Sequence, residues 1–247
     1  MQNSGAILQL RIDALKVALQ DRLHGSGSNF LIPSGKLSGW ESDMAHYMEK
    51  SASFRANCAE NLRRANRDTM AGKATACFRG DLMMYNSFLL KHQSFLSSVP
   101  LIDETVRSNA VESISNVVDA VKTIVGAIDA GLYEQMSTLE DAKQKLRSQY
   151  LVPYWLAVVK VQADRQLTFV ALMFKHLELL NSDPIHAPLM QKGIMDSVSC
   201  LTTTTHSLQN VINAVNLDTA VKSLSGANIL SLTCKKSIEN LVQSHTP

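Results

Sequence analysis

Residues 200–234 read CLTTTTHSLQNVINAVNLDTAVKSLSGANILSLTC, a segment that begins and ends on cysteine. Its midpoint, Leu217, falls inside the short polar break NLDT. Apolar residues recur at helical spacing on both sides: Ile194, Val198, Leu201, Leu208, Val211 and Val215 before the break, and Val221, Leu224, Cys234, Ile238 and Leu241 after it. In an antiparallel helical hairpin, residues equidistant from the turn lie at the same height. The spacing therefore predicts a hairpin bridged by Cys200 and Cys234. The run of four threonines in LTTTTHSL lowers helix propensity and marks this stretch as a place for strain or a kink.

The same symmetry recurs earlier in the chain. Cys58 and Cys77 are equidistant from Arg67 and Asp68, inside the polar break ANRDT. Two pairs straddling two breaks use all four cysteines. Facing positions on packed helices come close enough for a disulfide. Such bonds persist mainly outside the reducing cytosol. The expectation is an extracytoplasmic protein, periplasmic or secreted, although no signal peptide opens the sequence. Free thiols would return it to the cytoplasm. No pair of cysteines has the short spacing of a zinc site, so no metal is expected.

Outward from these hairpins the pattern stays helical. Glycine and proline are scarce, at 11 and 6 of 247 residues, and no alternating strand pattern occurs. The first helix is expected over 6–23, on Leu8, Ile12, Leu15, Leu19 and Leu23. A Gly- and Pro-rich loop over 24–37 follows, with Phe30, Leu31 and Ile32 as exposed apolar candidates for a contact. Ser38 and Glu41 have capping-box spacing and predict the start of a second helix, whose stripe runs from Trp40 through Tyr47, Ser51 and Cys58 to Ala65. A third carries Phe78, Leu82, Tyr85, Leu89 and Leu96 and is stopped by Pro100. His92 lies on its apolar stripe, the position of a hydrogen-bonded core histidine.

The fourth pattern, from Val106 to Leu146, is near-heptad. Unbroken, it makes a rod of about 45 residues, roughly 65 to 70 Å. Gly126 and Gly131 are its weak points. Pro153 reads as the first turn of a fifth helix through Trp155, Val159, Phe169, Met173 and Leu177. The fold expected is all-α, an elongated antiparallel bundle of six or seven helices. It is expected to form one domain over 1–247, with a subdivision into 1–180 and 181–247 as the alternative.

Function is less constrained. A formal charge of +2 gives no footing for nucleic-acid binding. The most apolar stretch, 167–174, is far shorter than the ~20 residues of a spanning helix. GKL at 35–37 departs from a phosphate-binding loop at the first glycine and at the residue after the lysine. No Glu-x-x-His pair offers a di-iron site. No cofactor and no enzymatic activity are expected.

A basic excess between Arg55 and Arg79, with Arg63, Arg64 and Arg67, reads first as a solvated face and second as a surface for an acidic partner. The amphipathic stretch 113–132 reads first as close helix packing and second as a membrane-surface element. The function expected is therefore protein–protein interaction, in a component of a bacterial surface or secretion assembly. The alternatives are a membrane-active, pore-forming type of protein and a cytosolic adaptor or effector with an acidic partner.

Overall fold

The computed structural model describes residues 2–19, 34–99, 102–182 and 187–243, without the side chains of 2–5, 34–40 and 187–189. Those residues form eight α-helices and one π-turn: α1 (Gln2–Ala18), α2 (Ser34–Arg63), α3 (Arg67–Ser98), α4 (Glu104–Asp129), α5 (Met136–Leu146), the π-turn (Arg147–Leu151), α6 (Val152–Ser182), α7 (Ala187–Ile212) and α8 (Leu217–Gln243). The protein is an all-α helical bundle. Among the described residues there is no strand.

Its chain divides into two compact units. One comprises Met1–Phe30, Leu101–Val106 and Val158–Pro247, the other Leu31–Pro100 and Arg107–Ala157. This division has other boundaries than the alternative subdivision into 1–180 and 181–247. It groups the first helix with the last two, because Leu8, Ile12, Leu15 and Leu19 are buried and α1 packs on α7.

Within that unit α7 and α8 form the densest pairing. Ile194, Val198, Leu201, Leu208 and Val211 from α7 are fully buried, as are Ala220, Ala227 and Cys234 from α8. At about 1.5 to 3 kcal/mol per large aliphatic side chain, this contact carries much of the unit's stability. The turn falls at 213–216, where the Asn216 side chain accepts from the Thr219 N–H at 2.8 Å and caps α8. Val215 in that turn is 90% exposed, and Val221 is also exposed, so both leave the expected stripe.

The threonine run lies within one continuous helix, Ala187–Ile212. Each hydroxyl donates to the carbonyl four residues back, Thr202 to Val198, Thr203 to Ser199, Thr204 to Cys200 and Thr205 to Leu201, at 2.8 to 3.1 Å. The buried hydroxyls of Thr204 and Thr205 are thereby satisfied without leaving the helix. Elsewhere in this unit the fully buried Asp164 carboxylate accepts from the Asp103 N–H at 2.8 Å. Asp103 in turn caps α4 through Thr105 and Val106.

In the second unit α2 packs against α3. The turn between them ends on Asn66, whose side chain accepts from the Thr69 N–H at 2.9 Å. α2 begins at Ser34, four residues before the expected cap at Ser38, so 34–37 of the expected loop are helical. Gly80 sits where a Cβ would lie 2.4 Å from the Phe54 ring, which lets the two helices approach closely.

The long fourth pattern is two helices rather than a rod. Gly131 has φ +75°, the Leu132 N–H donates to the Ala127 carbonyl and the Gly131 N–H donates to the Ile128 carbonyl. That is a Schellman cap, and glycine holds its left-handed position without strain. The stripe continues numerically across 131 although the helix does not. Nor does Pro153 restart the chain: α5, the π-turn and α6 are contiguous. The Val152 N–H donates to the Arg147 carbonyl, five residues back. This wider turn makes room where a proline ring would press on the carbonyl four residues earlier.

Candidate functional site

A groove of about 570 Å³ opens in the second unit between three helical walls. α2 contributes Met44, Tyr47, Met48, Ser51, Ala52 and Arg55. These lie at intervals of three and four, so one face of the helix is presented along three turns. α3 forms the floor with Phe78, Asp81, Leu82, Tyr85 and Phe88. The third wall is Lys143 and Leu146 of α5, Leu151 of the π-turn and Trp155 of α6. Expected in the core, Trp155 is instead 38% exposed here.

The two ends of the groove differ. At one, Arg55 holds Asp81 through two bonds of 3.1 and 3.2 Å, and Lys143 lies 5.1 Å from the centre of the Phe78 ring. The hydrogen bond to Asp81 raises the Arg55 pKa. At the other, Tyr47 stacks on Phe88 with centroids 4.5 Å apart, and Phe88 continues to His92 at 5.7 Å.

Behind the lining sits a buried polar cluster. His92 Nδ1 and the Tyr154 hydroxyl share a hydrogen bond of 2.7 Å, and both residues are buried. Burial lowers the His92 pKa to about 4, so the imidazole is neutral near pH 7. Tyr85 turns its hydroxyl inward, where it is buried near Tyr154 without a hydrogen bond of good geometry. Burial raises the pKa of Tyr47, Tyr85 and Tyr154, and all three stay protonated.

Of the candidate interaction residues named from sequence, Arg55 is the one among the described residues that lines this groove. Arg63 and Arg64 both pair with Glu60, at 3.1 and 2.7 Å, and Arg79 pairs with Asp129 at 2.6 Å. Arg67 is the exposed first residue of α3. The basic stretch is thus largely tied up in local ion pairs. Phe30, Leu31 and Ile32 lie outside the described residues. Asp43 forms an ion pair with Lys91, and both line a smaller groove with His46. Among the described residues no cluster of three or more His, Cys, Asp or Glu side chains could hold a metal ion.

The cysteines stand as their spacing predicts. Cys58 and Cys77 are at disulfide-bonding distance with Cα atoms 5.8 Å apart, and Cys200 and Cys234 with Cα atoms 5.7 Å apart. The amphipathic stretch 113–132 packs Ile114, Val117, Val118 and Val121 into the second unit, and Leu167, Val170, Ala171 and Phe174 are buried in the first. Among the described residues no helix is long and apolar enough to cross a membrane. Comparison of the chain with protein-family models, with curated proteins and with solved structures finds no significant match.

Proposed function

We propose that this is a non-enzymatic helical-bundle protein of an extracytoplasmic compartment, periplasmic or secreted, that binds another protein within a bacterial surface or secretion assembly. The observation that carries the reading is the pairing of every cysteine across a hairpin, since bonds of this kind persist where thiols are not kept reduced. The groove supports a binding role. It is open, about three turns long and lined mostly by large apolar and aromatic side chains, the composition enriched at the centre of partner contacts.

Neither alternative gains support from a particular feature. Much of the apolar face that a membrane-active protein would insert, including Ile114, Val117, Val121, Leu167, Val170 and Phe174, is already buried. The arginines that an acidic-partner adaptor would present are largely paired with neighbouring carboxylates.

The test is to alkylate the protein in its native compartment, map its peptides without reduction, and place photo-crosslinking residues at Met48 and at the exposed Leu232. Both bridges intact and a crosslink to a second protein are expected. Four alkylated thiols would overturn the compartment and favour the adaptor. Leakage from vesicles of neutral and anionic lipid, with no protein crosslink, would favour the membrane-active reading.

A further inference from the structure

We infer that the groove of the second unit receives an amphipathic α-helix of about three turns from the partner protein, apolar along one face and acidic at the end that lies against Arg55 and Lys143. This rests on the binding reading above and names the chemistry of the partner.

Three observations lead there. The first is shape. The α2 wall presents Met44, Met48, Ala52 and Arg55 in register along one helical face, a distance of about 16 Å at 1.5 Å per residue. α3 and the α5–α6 segment supply the floor and the opposite wall. Three helical walls bound a trough of about 570 Å³, and a fourth helix is the element that packs ridges into such a trough along its whole length.

The second is the character of the surface. Met48 is 60% exposed beside the half-exposed Trp155, and Tyr47, Met44 and Phe78 continue the apolar face. Methionine and aromatic side chains adapt to apolar anchors spaced three and four residues apart.

The third is charge. The contacts of Arg55 with Asp81 and of Lys143 with Phe78 place all the charged lining residues at one end, two cations against one carboxylate. At the other end the lining itself is uncharged, with Met44, Phe88 and Trp155, and the nearest charges are those of the adjoining smaller groove, where Asp43 is paired with Lys91. An acidic residue on the incoming helix meets the net positive end, and a basic one is repelled there. Such complementarity sets orientation and choice of partner.

The experiment uses the oxidised full-length protein and two fluorescent, lactam-stapled helical peptides of about 14 residues. Both carry leucine at every third or fourth position; one bears two glutamates in the terminal turn and the other two lysines. Saturable anisotropy is expected for the acidic peptide, with binding at least ~10-fold tighter than for the basic one. Lys143→Glu should reverse that preference while leaving the far-UV circular dichroism and the melting temperature unchanged. Ala52→Trp, which fills the trough, should abolish binding of both peptides. Equal affinity for the two peptides, an unchanged preference in Lys143→Glu, or binding that survives Ala52→Trp would each overturn the assignment. A partner crosslinked in the native compartment from Leu232 but not from Met48 would remove the groove while leaving the binding role. No crosslink from either position would remove the role itself.

Discussion

In the α7/α8 hairpin the helices meet through Ile194, Val198, Leu201, Leu208 and Val211 on one side and Ala220, Ala227 and Cys234 on the other, all with almost no exposed surface. In the α2/α3 hairpin, Ser51 is the one buried side chain among the described residues of α2. There α2 is held by half-buried aromatic contacts, by Arg55 on Asp81 and by Lys91 on Asp43. Exposed ion pairs of this kind add little, typically under ~1 kcal/mol each. Both hairpins have a polar cap at the turn and a cysteine pair across the helices. They differ in how much apolar surface the pairing removes from water. The well-packed hairpin is closed, and the sparsely packed one has a face left over, which is where the groove lies.

That contrast can be broken most directly at the cysteines. The chain between Cys200 and Cys234 is longer than that between Cys58 and Cys77, separations of 34 and 19 residues. In the loop-entropy model the two bridges stabilise by about 4 and about 3 kcal/mol. Replacing both members of either pair with alanine should lower stability by those amounts in urea titrations. Hydrogen exchange should separate the outcomes further. Without Cys58–Cys77, the amides of α2 should exchange near the rate of local opening, because little packing remains to hold that helix. Without Cys200–Cys234, the centres of α7 and α8 should stay protected. Equal protection of α2 and α7 after bridge removal would sink the comparison.

Truncating one side chain in each hairpin is the next test. Leu208→Ala removes a fully buried leucine and should cost about 3 kcal/mol, read from the denaturation midpoint. Met48→Ala, on the exposed face of α2, should fall within about 0.5 kcal/mol of the parent.

Acid should also distinguish the units. His92 has a folded pKa of about 4 against an ordinary value of 6.5. The unfolded chain therefore binds the extra proton first. The contribution of this group is complete above pH 6.5 and is lost as pH falls from 6.5 toward 4. At about 1.4 kcal/mol per pKa unit, the loss is about 3 kcal/mol in the second unit. His92→Gln should flatten that slope in melting experiments across this window.

Two glycines should give smaller effects than the buried leucine or histidine. Gly80→Ala drives a methyl group into the Phe54 ring and should cost about 1 to 2 kcal/mol. Gly126→Ala meets open space within α4 and should add about 0.5 to 1 kcal/mol in thermal unfolding.

Much of this architecture is legible in the sequence, for reasons that can be named. Helical stripes such as Leu8–Ile12–Leu15–Leu19 survive because burial follows period. The two cysteine pairs were readable because a hairpin makes sequence symmetry into spatial proximity. The end of α4 was readable too, in the glycine of IDAGL, but the stripe that continues beyond it argued equally for a rod. Exposure was not legible. Trp155, Phe169, Val215 and Val221 sit at helical spacings yet are open to solvent, because spacing says which residues share a face and not what covers that face. The groove is missed for the same reason: it is a space bounded by residues from three separate segments. Lys143, in particular, has no local signal that distinguishes it from any other helical lysine.

The π-turn has a consequence for chain length. Leu146 and Tyr154 are both buried although eight residues apart, an interval that turns an uninterrupted α-helix about 80° past its starting face. One residue taken up in the wide turn makes them behave as though seven apart, within about 20° of one another. The segment Arg147–Leu151 thus works as an added tooth in a gear: it lengthens the chain by one without changing which side chains mesh downstream. Deleting a single residue there should keep Tyr154 and Trp155 on their present faces, whereas deleting one in the middle of α6 should rotate every following side chain by about 100°. At this wall of the groove the sequence can change length by one and still present the same surface.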